Sequence, residues 1–142
     1  MLKLTKIFHF ETAHAIHGYN GACKNIHGHS YELHVTVAAD AEFEDYIPAP
    51  GFVIDFKEIK KIVKEGIIIN LDHKLLLSKQ FIAENNYISQ QENLIQWEVE
   101  PTAENILLYI KKILINSLPA HVQLAYLKLY ETKDSYAEWS NK

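Results

Sequence analysis

In the stretch CKNIHGHSYELHVTV, two histidines, His27 and His29, flank a single glycine at the head of a run that alternates like a β-strand. The only cysteine of the chain, Cys23, stands just before them. Residues two apart in a strand point to the same side, so His27 and His29 can aim both imidazoles at one point. Gly28 between them adds no side chain on the opposite face and allows close backbone packing. A third imidazole can come from His14, at the end of the earlier run FETAHAIH, with His17 as its rival. Three neutral imidazoles bind Zn²⁺ at ~2.0–2.1 Å and leave a fourth position open, the pattern of catalytic rather than structural zinc. A single cysteine cannot build a closed thiolate site. The pair His-x-His is not specific by itself in a chain with 8 histidines. His9, His17, His34 and His121 read as structural or solvent-facing.

Two further groups could move protons. A free thiol titrates near ~8.5 and acts as nucleophile or base only as thiolate, which a neighbouring cation favours. Cys23 lies in the Gly/Asn-rich loop HGYNGACKN, a polar setting unlike that of a buried structural cysteine. Asp72 and His73 form the second candidate, since a carboxylate can fix an imidazole in one tautomer and stabilise its charged form. Adjacent residues need not touch, and a turn aspartate beside an exposed histidine is the plain alternative. Glu131 is one carboxylate near the end of a strand-like run.

The elements that must position these groups follow from periodicity. Residues 3–14 alternate and are rich in aromatic and β-branched types, which predicts a strand. Tyr31, Leu33, Val35 and Val37 alternate with Ser30, Glu32, His34 and Thr36, a half-buried strand. AEFEDYIPAPG is an acidic loop, and Phe52 to Ile54 reads as the end of a strand. Phe56, Ile59, Ile62 and Val63 recur at helical spacing, with Gly66 an end or interruption. NLIQWEVE suggests one short strand within the otherwise mixed residues 78–100. PTAENILLYIKKILINSL predicts a helix with Pro101 or Thr102 at its start and Ile106, Leu107, Ile110, Ile113 and Leu114 on one face. Gln123 to Glu131 and Tyr136 to Trp139 predict two last strands. The order β-β-α-α-β-β, with one unplaced insert, gives an α+β fold with helices laid on one face of an antiparallel sheet.

A length of 142 residues fits one domain, 1–142, with a real core. The net charge of −4 gives no general attraction to nucleic acid or to an anionic membrane. All 14 basic residues are lysine, so any anionic ligand must be held by Lys, backbone N–H groups or a metal rather than by a guanidinium fork. The N-terminal run lacks the apolar core of a signal peptide, and no apolar run approaches the ~18–20 residues of a membrane span. A soluble, reducing, cytoplasmic setting is the expectation.

Taken together and in order, FETAHAIH, CKNIHGHSYELHVTV, GFVIDFKEIK, NLDHKLLL, PTAEN and YET resemble the 6-pyruvoyltetrahydropterin synthase and 6-carboxytetrahydropterin synthase family. The resemblance implies that His14, His27 and His29 are zinc ligands and that Cys23 is the cysteine that moves a proton on the substrate side chain. It implies that Asp72 and His73 are an acid/base pair and that Glu131 anchors the pterin ring. Thr102 and Glu104 match a segment lining the pterin pocket. It further implies the tunnelling fold, in which subunits join their sheets into a barrel, commonly a hexamer of two stacked trimers, with sites at subunit interfaces.

Three residues separate Cys23 from His27. That spacing resembles the bacterial 6-carboxytetrahydropterin synthases of queuosine (7-deazaguanine) biosynthesis, whereas pyruvoyl-type animal enzymes carry a longer gap. The implied reaction takes 7,8-dihydroneopterin triphosphate to 6-carboxy-5,6,7,8-tetrahydropterin, acetaldehyde and triphosphate. The alternatives are a pyruvoyl-type synthase, which eliminates triphosphate and keeps the carbon chain, and a non-catalytic zinc or pterin-binding module. Without arginine, Lys24, Lys74 or a neighbouring subunit's lysine would have to meet the triphosphate.

Overall fold

The computed structural model describes residues 1–142. Strand β1 (Lys3–His14) runs antiparallel to β2 (His27–Ala39) with His14 opposite His27 and Thr12 opposite His29. β2 pairs with β5 (Val122–Thr132), and β5 with β6 (Ser135–Ser140), both antiparallel. This antiparallel four-strand core is extended at one edge by β3 (Lys74–Ser78) and β4 (Leu94–Trp97), giving the order β4-β3-β1-β2-β5-β6. β3 lies parallel to β1, and β4 parallel to β3, because helical segments carry the chain back before each of them.

Alternation decides which face is buried. Phe8, Phe10, Thr12 and His14 of β1, and Tyr31, Leu33, Val35 and Val37 of β2, turn inward, while Lys3, Thr5, Ile7, His9 and Glu11 turn out. Phe10 and Tyr31 stack with ring centroids 5.1 Å apart, a geometry worth about 0.5–1.5 kcal/mol beyond burial. The apolar stripe predicted for β2 is the observed inward one, and the histidines continue the inward faces of both strands to the end of the hairpin.

Two helices cover that face. α1 (Phe56–Val63) is capped by Asp55, whose carboxylate accepts the Lys57 N–H at 2.8 Å. It passes through a π-helical turn (Lys64–Ile68) into α2 (Ile69–Leu71). The sequence marks Gly66 as an end or interruption; here the helix changes its hydrogen-bond register and continues. A Cβ on Gly66 would stand 3.2 Å from Ile113 Cγ2, so the small residue serves close helix–helix packing. α4 (Ala103–Ser117) buries Ile106, Leu107, Ile110 and Leu114, the stripe its periodicity predicts. Phe52 to Ile54 form no strand: Val53 and Ile54 are buried as a bend that leads into the Asp55 cap. The insert after β3 folds as α3 (Lys79–Glu84), a 3₁₀ turn (Asn86–Gln90) and β4. No helix is long and apolar enough to cross a membrane.

Two stability measurements follow. Ile110 has no exposed surface, and Ile110→Ala is expected to cost about 2–5 kcal/mol in urea unfolding with an unchanged m-value. Thr102 caps α4 by accepting the Asn105 N–H at 3.2 Å. Thr102→Ala should cost about 1 kcal/mol, and Thr102→Ser should recover most of it.

Candidate metal centre and active-site cavity

The antiparallel register of β1 and β2 delivers three imidazoles to the end of the inward face. His14, His27 and His29 each offer a ring nitrogen, and these atoms all lie within 4.8 Å of one another. His14 is buried, and His27 and His29 are partly so. His14 Nδ1 lies 2.6 Å from the Pro101 carbonyl, and His27 Nδ1 lies 2.7 Å from the Asn25 carbonyl. A carbonyl oxygen only accepts, so both Nδ1 atoms carry the proton and donate it. Both Nε2 atoms then hold bare lone pairs, yet they face each other at 3.1 Å. Two lone pairs so placed repel unless a cation or a proton lies between them. The buried Nε2 of His29 has no hydrogen-bond partner either.

The arrangement passes the test for a divalent metal. Two ligands at ~2.0–2.1 Å from a tetrahedral ion stand about 3.3–3.4 Å apart, close to the His14–His27 separation. Burial lowers the pKa of His14 and of His29, which favours the neutral, ligand-competent imidazole. The carbonyls of Pro101 and Asn25 fix tautomer and ring orientation from behind. His14 is thereby distinguished from its rival: His17 turns away, its Nδ1 3.6 Å from a carboxylate oxygen of Glu84.

Glu131, in β5, faces the cluster. One carboxylate oxygen lies 3.9 Å from His14 Nε2 and the other 3.7 Å from His29 Nε2. Beneath them the phenol of Tyr31 is buried without a hydrogen-bond partner, and burial pushes its pKa up. This phenol is the one polar group at the centre that the sequence reading passed over. Its place two residues after His29, on the same strand face, is the signal that could have found it.

A cavity of about 360 Å³ opens beside the cluster. His14, Cys23, Thr102, Glu104 and Glu131 all line it, so five of the sequence-selected residues meet there. Cys23 sits in a 3₁₀ turn, Ala22–Lys24, and its carbonyl accepts the Ile16 N–H at 2.8 Å. Tyr19 and Tyr136 add aromatic wall, suited to a flat heterocycle. Thr102 spends its hydroxyl on the helix cap and Glu104 lies in the first turn of α4, so one helix start forms the cavity edge.

Asp72 and His73 do not join this cavity. They do form a contact pair, with Asp72 Oδ1 3.1 Å from His73 Nδ1. The same oxygen accepts the Glu11 N–H at 2.8 Å, and that bond leads the interactions that lower the Asp72 pKa. His73 holds φ at +59°, the left-handed region, which costs a non-glycine residue on the order of 1 kcal/mol. Its N–H donates to Glu11 O at 2.6 Å, and its carbonyl accepts from Asn93 Nδ2 at 3.0 Å. The surrounding structure therefore imposes the strain and throws the imidazole outward, 80% exposed. His73 borders a second groove, shared with Glu11, Gly28, Ser30 and His29 of the imidazole cluster. A Cβ on Gly28 would meet only the Thr12 carbonyl, at an ordinary 3.8 Å, so close backbone packing does not require glycine there. Its bareness instead leaves the groove open.

Removing one ligand tests the centre. His29→Ala, dialysed against buffer after loading with Zn²⁺, should lose the stoichiometric metal that the parent retains, as read by mass spectrometry of the eluted ion. Retention of a full equivalent would exclude His29 as a ligand.

Known proteins match this chain along its length. Residues 3–142 fit the family model described as 6-pyruvoyl tetrahydropterin synthase. The 6-carboxy-5,6,7,8-tetrahydropterin synthase of Rickettsia typhi is 35% identical over 147 aligned residues, covering 97% of this chain and 99% of the relative. The synthase of the same name from Haemophilus influenzae is 33% identical, covering 98% and 99%. Among solved structures, the 6-pyruvoyl tetrahydropterin synthase of Plasmodium falciparum superposes with a TM-score of 0.71 at 21% identity, over 99% of this chain and 97% of that one. With three clustered imidazoles, a cysteine at their cavity and a match spanning nearly every residue, the chain belongs to the 6-pyruvoyl tetrahydropterin synthase family.

Proposed function

We propose that the protein is a zinc-dependent 6-carboxy-5,6,7,8-tetrahydropterin synthase. It would convert 7,8-dihydroneopterin triphosphate to 6-carboxytetrahydropterin, acetaldehyde and triphosphate in the cytoplasmic synthesis of queuosine-type 7-deazaguanines. One observation carries the reading: a single cavity is lined by His14 of the metal-competent imidazole cluster, by the only thiol and by two carboxylates, Glu104 and Glu131. The full-length relatives of the carboxy type support the choice of product.

His14, His27 and His29 would hold the zinc, which when bound supplies a Lewis acid for the substrate's side-chain oxygens. Glu131 and Glu104 present carboxylate oxygens to the neighbouring N–H donors of the pterin ring, a paired and planar recognition. Tyr19 and Tyr136 bound the ring's faces and exclude water. Held at that end, the substrate reaches the histidines with its side chain, and Cys23 Sγ takes or returns a proton there.

His73 lines a groove with His29, whereas Cys23 of the same chain lines the other cavity. In this reading the Asp72–His73 pair serves the cysteine of a neighbouring subunit, which requires assembly, as a hexamer of two stacked trimers. Lys24, Lys74 or a neighbouring subunit's lysine would meet the triphosphate.

Incubation of zinc-loaded protein with 7,8-dihydroneopterin triphosphate under argon, followed by mass spectrometry, should give carboxytetrahydropterin and matching acetaldehyde. Pyruvoyltetrahydropterin without acetaldehyde would move the protein to the triphosphate-eliminating branch. Cys23→Ala should keep its zinc and lose about 10²–10⁴-fold in kcat; turnover within a few-fold of the parent would remove the thiol from its role.

A further inference from the structure

The insert between β3 and α4 closes the sheet edge with β4 and holds the His73 carbonyl through Asn93, and it is also tied to the loop that carries the thiol. That loop joins β1 to β2 and spans residues 15–26. Inside it, Ile16 N–H donates to the Cys23 carbonyl, and Lys24 and Asn25 N–H groups donate to Gly21 and Ala22. These bonds give the loop a shape but do not attach it to the body of the protein.

Ala15 at the start of the loop is buried with Leu75, Leu77, Phe81 and Ile88, and the polar attachment comes through His17. Its backbone N–H donates to a carboxylate oxygen of Glu100 at 2.6 Å, across 83 positions of sequence. Its ring Nδ1 lies 3.6 Å from a carboxylate oxygen of Glu84, at the end of α3. Glu84 is exposed on its side chain, so this second contact is the weaker one. Glu100 is held in turn: its carbonyl accepts the Thr102 N–H and the Asn105 Nδ2–H, both at 2.9 Å, at the start of α4. The next residue, Pro101, supplies the carbonyl that orients His14.

One dipeptide therefore reaches both halves of the site. The Pro101 carbonyl sets the imidazole, and the Glu100 carboxylate sets the thiol loop against the same helix start. Between loop and insert lies a cleft of about 460 Å³, with His17, Tyr19 and Asn25 on one wall and Phe81, Asn85 and Tyr87 on the other. The charge-assisted hydrogen bond from His17 to Glu100 is the strong kind, and its loss frees the loop to move.

We propose that residues 79–100 form a clamp on the cysteine loop, with Glu100 as its positioning residue and Glu84 as a lesser pin. The clamp fixes the distance between Cys23 and the histidine cluster. The inference rests on the reading of Cys23 as the reacting thiol, and its test does not depend on turnover alone.

The variants are Glu100→Ala, Glu100→Gln and Glu84→Ala in the full chain, loaded with zinc. The amide oxygen of Glu100→Gln can still accept the His17 N–H, whereas alanine cannot. Glu100→Ala should lower kcat about 10–100-fold with KM within about threefold, since small misplacement of a reacting group costs on that order. Glu100→Gln should stay within about threefold of the parent. Alkylation of Cys23 by iodoacetamide, without substrate, should change rate by more than about threefold in Glu100→Ala, less in Glu84→Ala and little in Glu100→Gln. Metal content should be unchanged in all three.

The clamp is overturned if Glu100→Ala leaves both kcat and alkylation at parental values, if Glu100→Gln is as impaired as Glu100→Ala, or if zinc is lost together with turnover. Should Glu100→Ala fail to fold, Glu84→Ala decides, and an unchanged alkylation rate there also overturns it. A parent protein inert toward the triphosphate would defeat the proposed reaction and leave the alkylation comparison to judge the clamp.

Discussion

The register of one hairpin is the constraint on which the site depends. Because His14 pairs with His27 and Thr12 with His29, the inward parity of β1 meets the inward parity of β2 at the imidazoles. A slip by one residue would send His27 and His29 to the opposite face and bring Gly28 and Ser30 inward. The pairs Phe8–Leu33 and Phe10–Tyr31 hold that register from the core side, since the same slip would expose the side chains of Leu33 and Tyr31. Packing in the middle of the hairpin thus fixes the geometry of the imidazole cluster at its end.

The second constraint is the meeting of the hairpin with α4. The helix packs by Ile106, Leu107, Ile110 and Leu114, residues that touch no ligand. Its N-terminus nevertheless places Thr102 and Glu104 at the cavity and, just before it, the carbonyl of Pro101 against His14. Burial then does chemical work: it lowers the pKa of His14 and of His29, which favours their neutral forms, and it leaves the Nε2 of His29 without a hydrogen-bond partner.

Much of this was legible in sequence because it is local. Alternation gave β1, β2, β5 and β6, and helical periodicity gave α1 and the buried stripe of α4. The His-x-His pair and His14 were readable from strand parity and the family resemblance. What sequence could not supply was long-range. The parallel placement of β3 and β4 depends on which edge receives a returning chain. The short apolar run Phe52 to Ile54 looks like a strand, but no neighbouring edge is offered to it. Glu131 lies against two imidazoles as well as the cavity, a fact of sheet pairing between β2 and β5. Asp72 and His73 touch as adjacent residues need not, because the Glu11 backbone holds both, and they face away from the thiol. The contacts from Glu100 to His17 and from Pro101 to His14 join residues more than 80 apart and have no signature at either end.

All three imidazoles come from one hairpin, and this shapes the order in which the molecule can assemble. Bridging His14 to His27 and His29 closes only a short loop, so the entropy lost in joining them is small. Hairpins form within about 1–10 μs, before sequence-distant contacts are made. Bringing the three imidazoles together therefore needs only local pairing, whereas Pro101, Glu100 and Glu131 arrive only when α4 and β5 dock. An ion caught by the nascent hairpin would be held loosely at first and tightened by the later half of the chain, so its affinity rises as the fold completes.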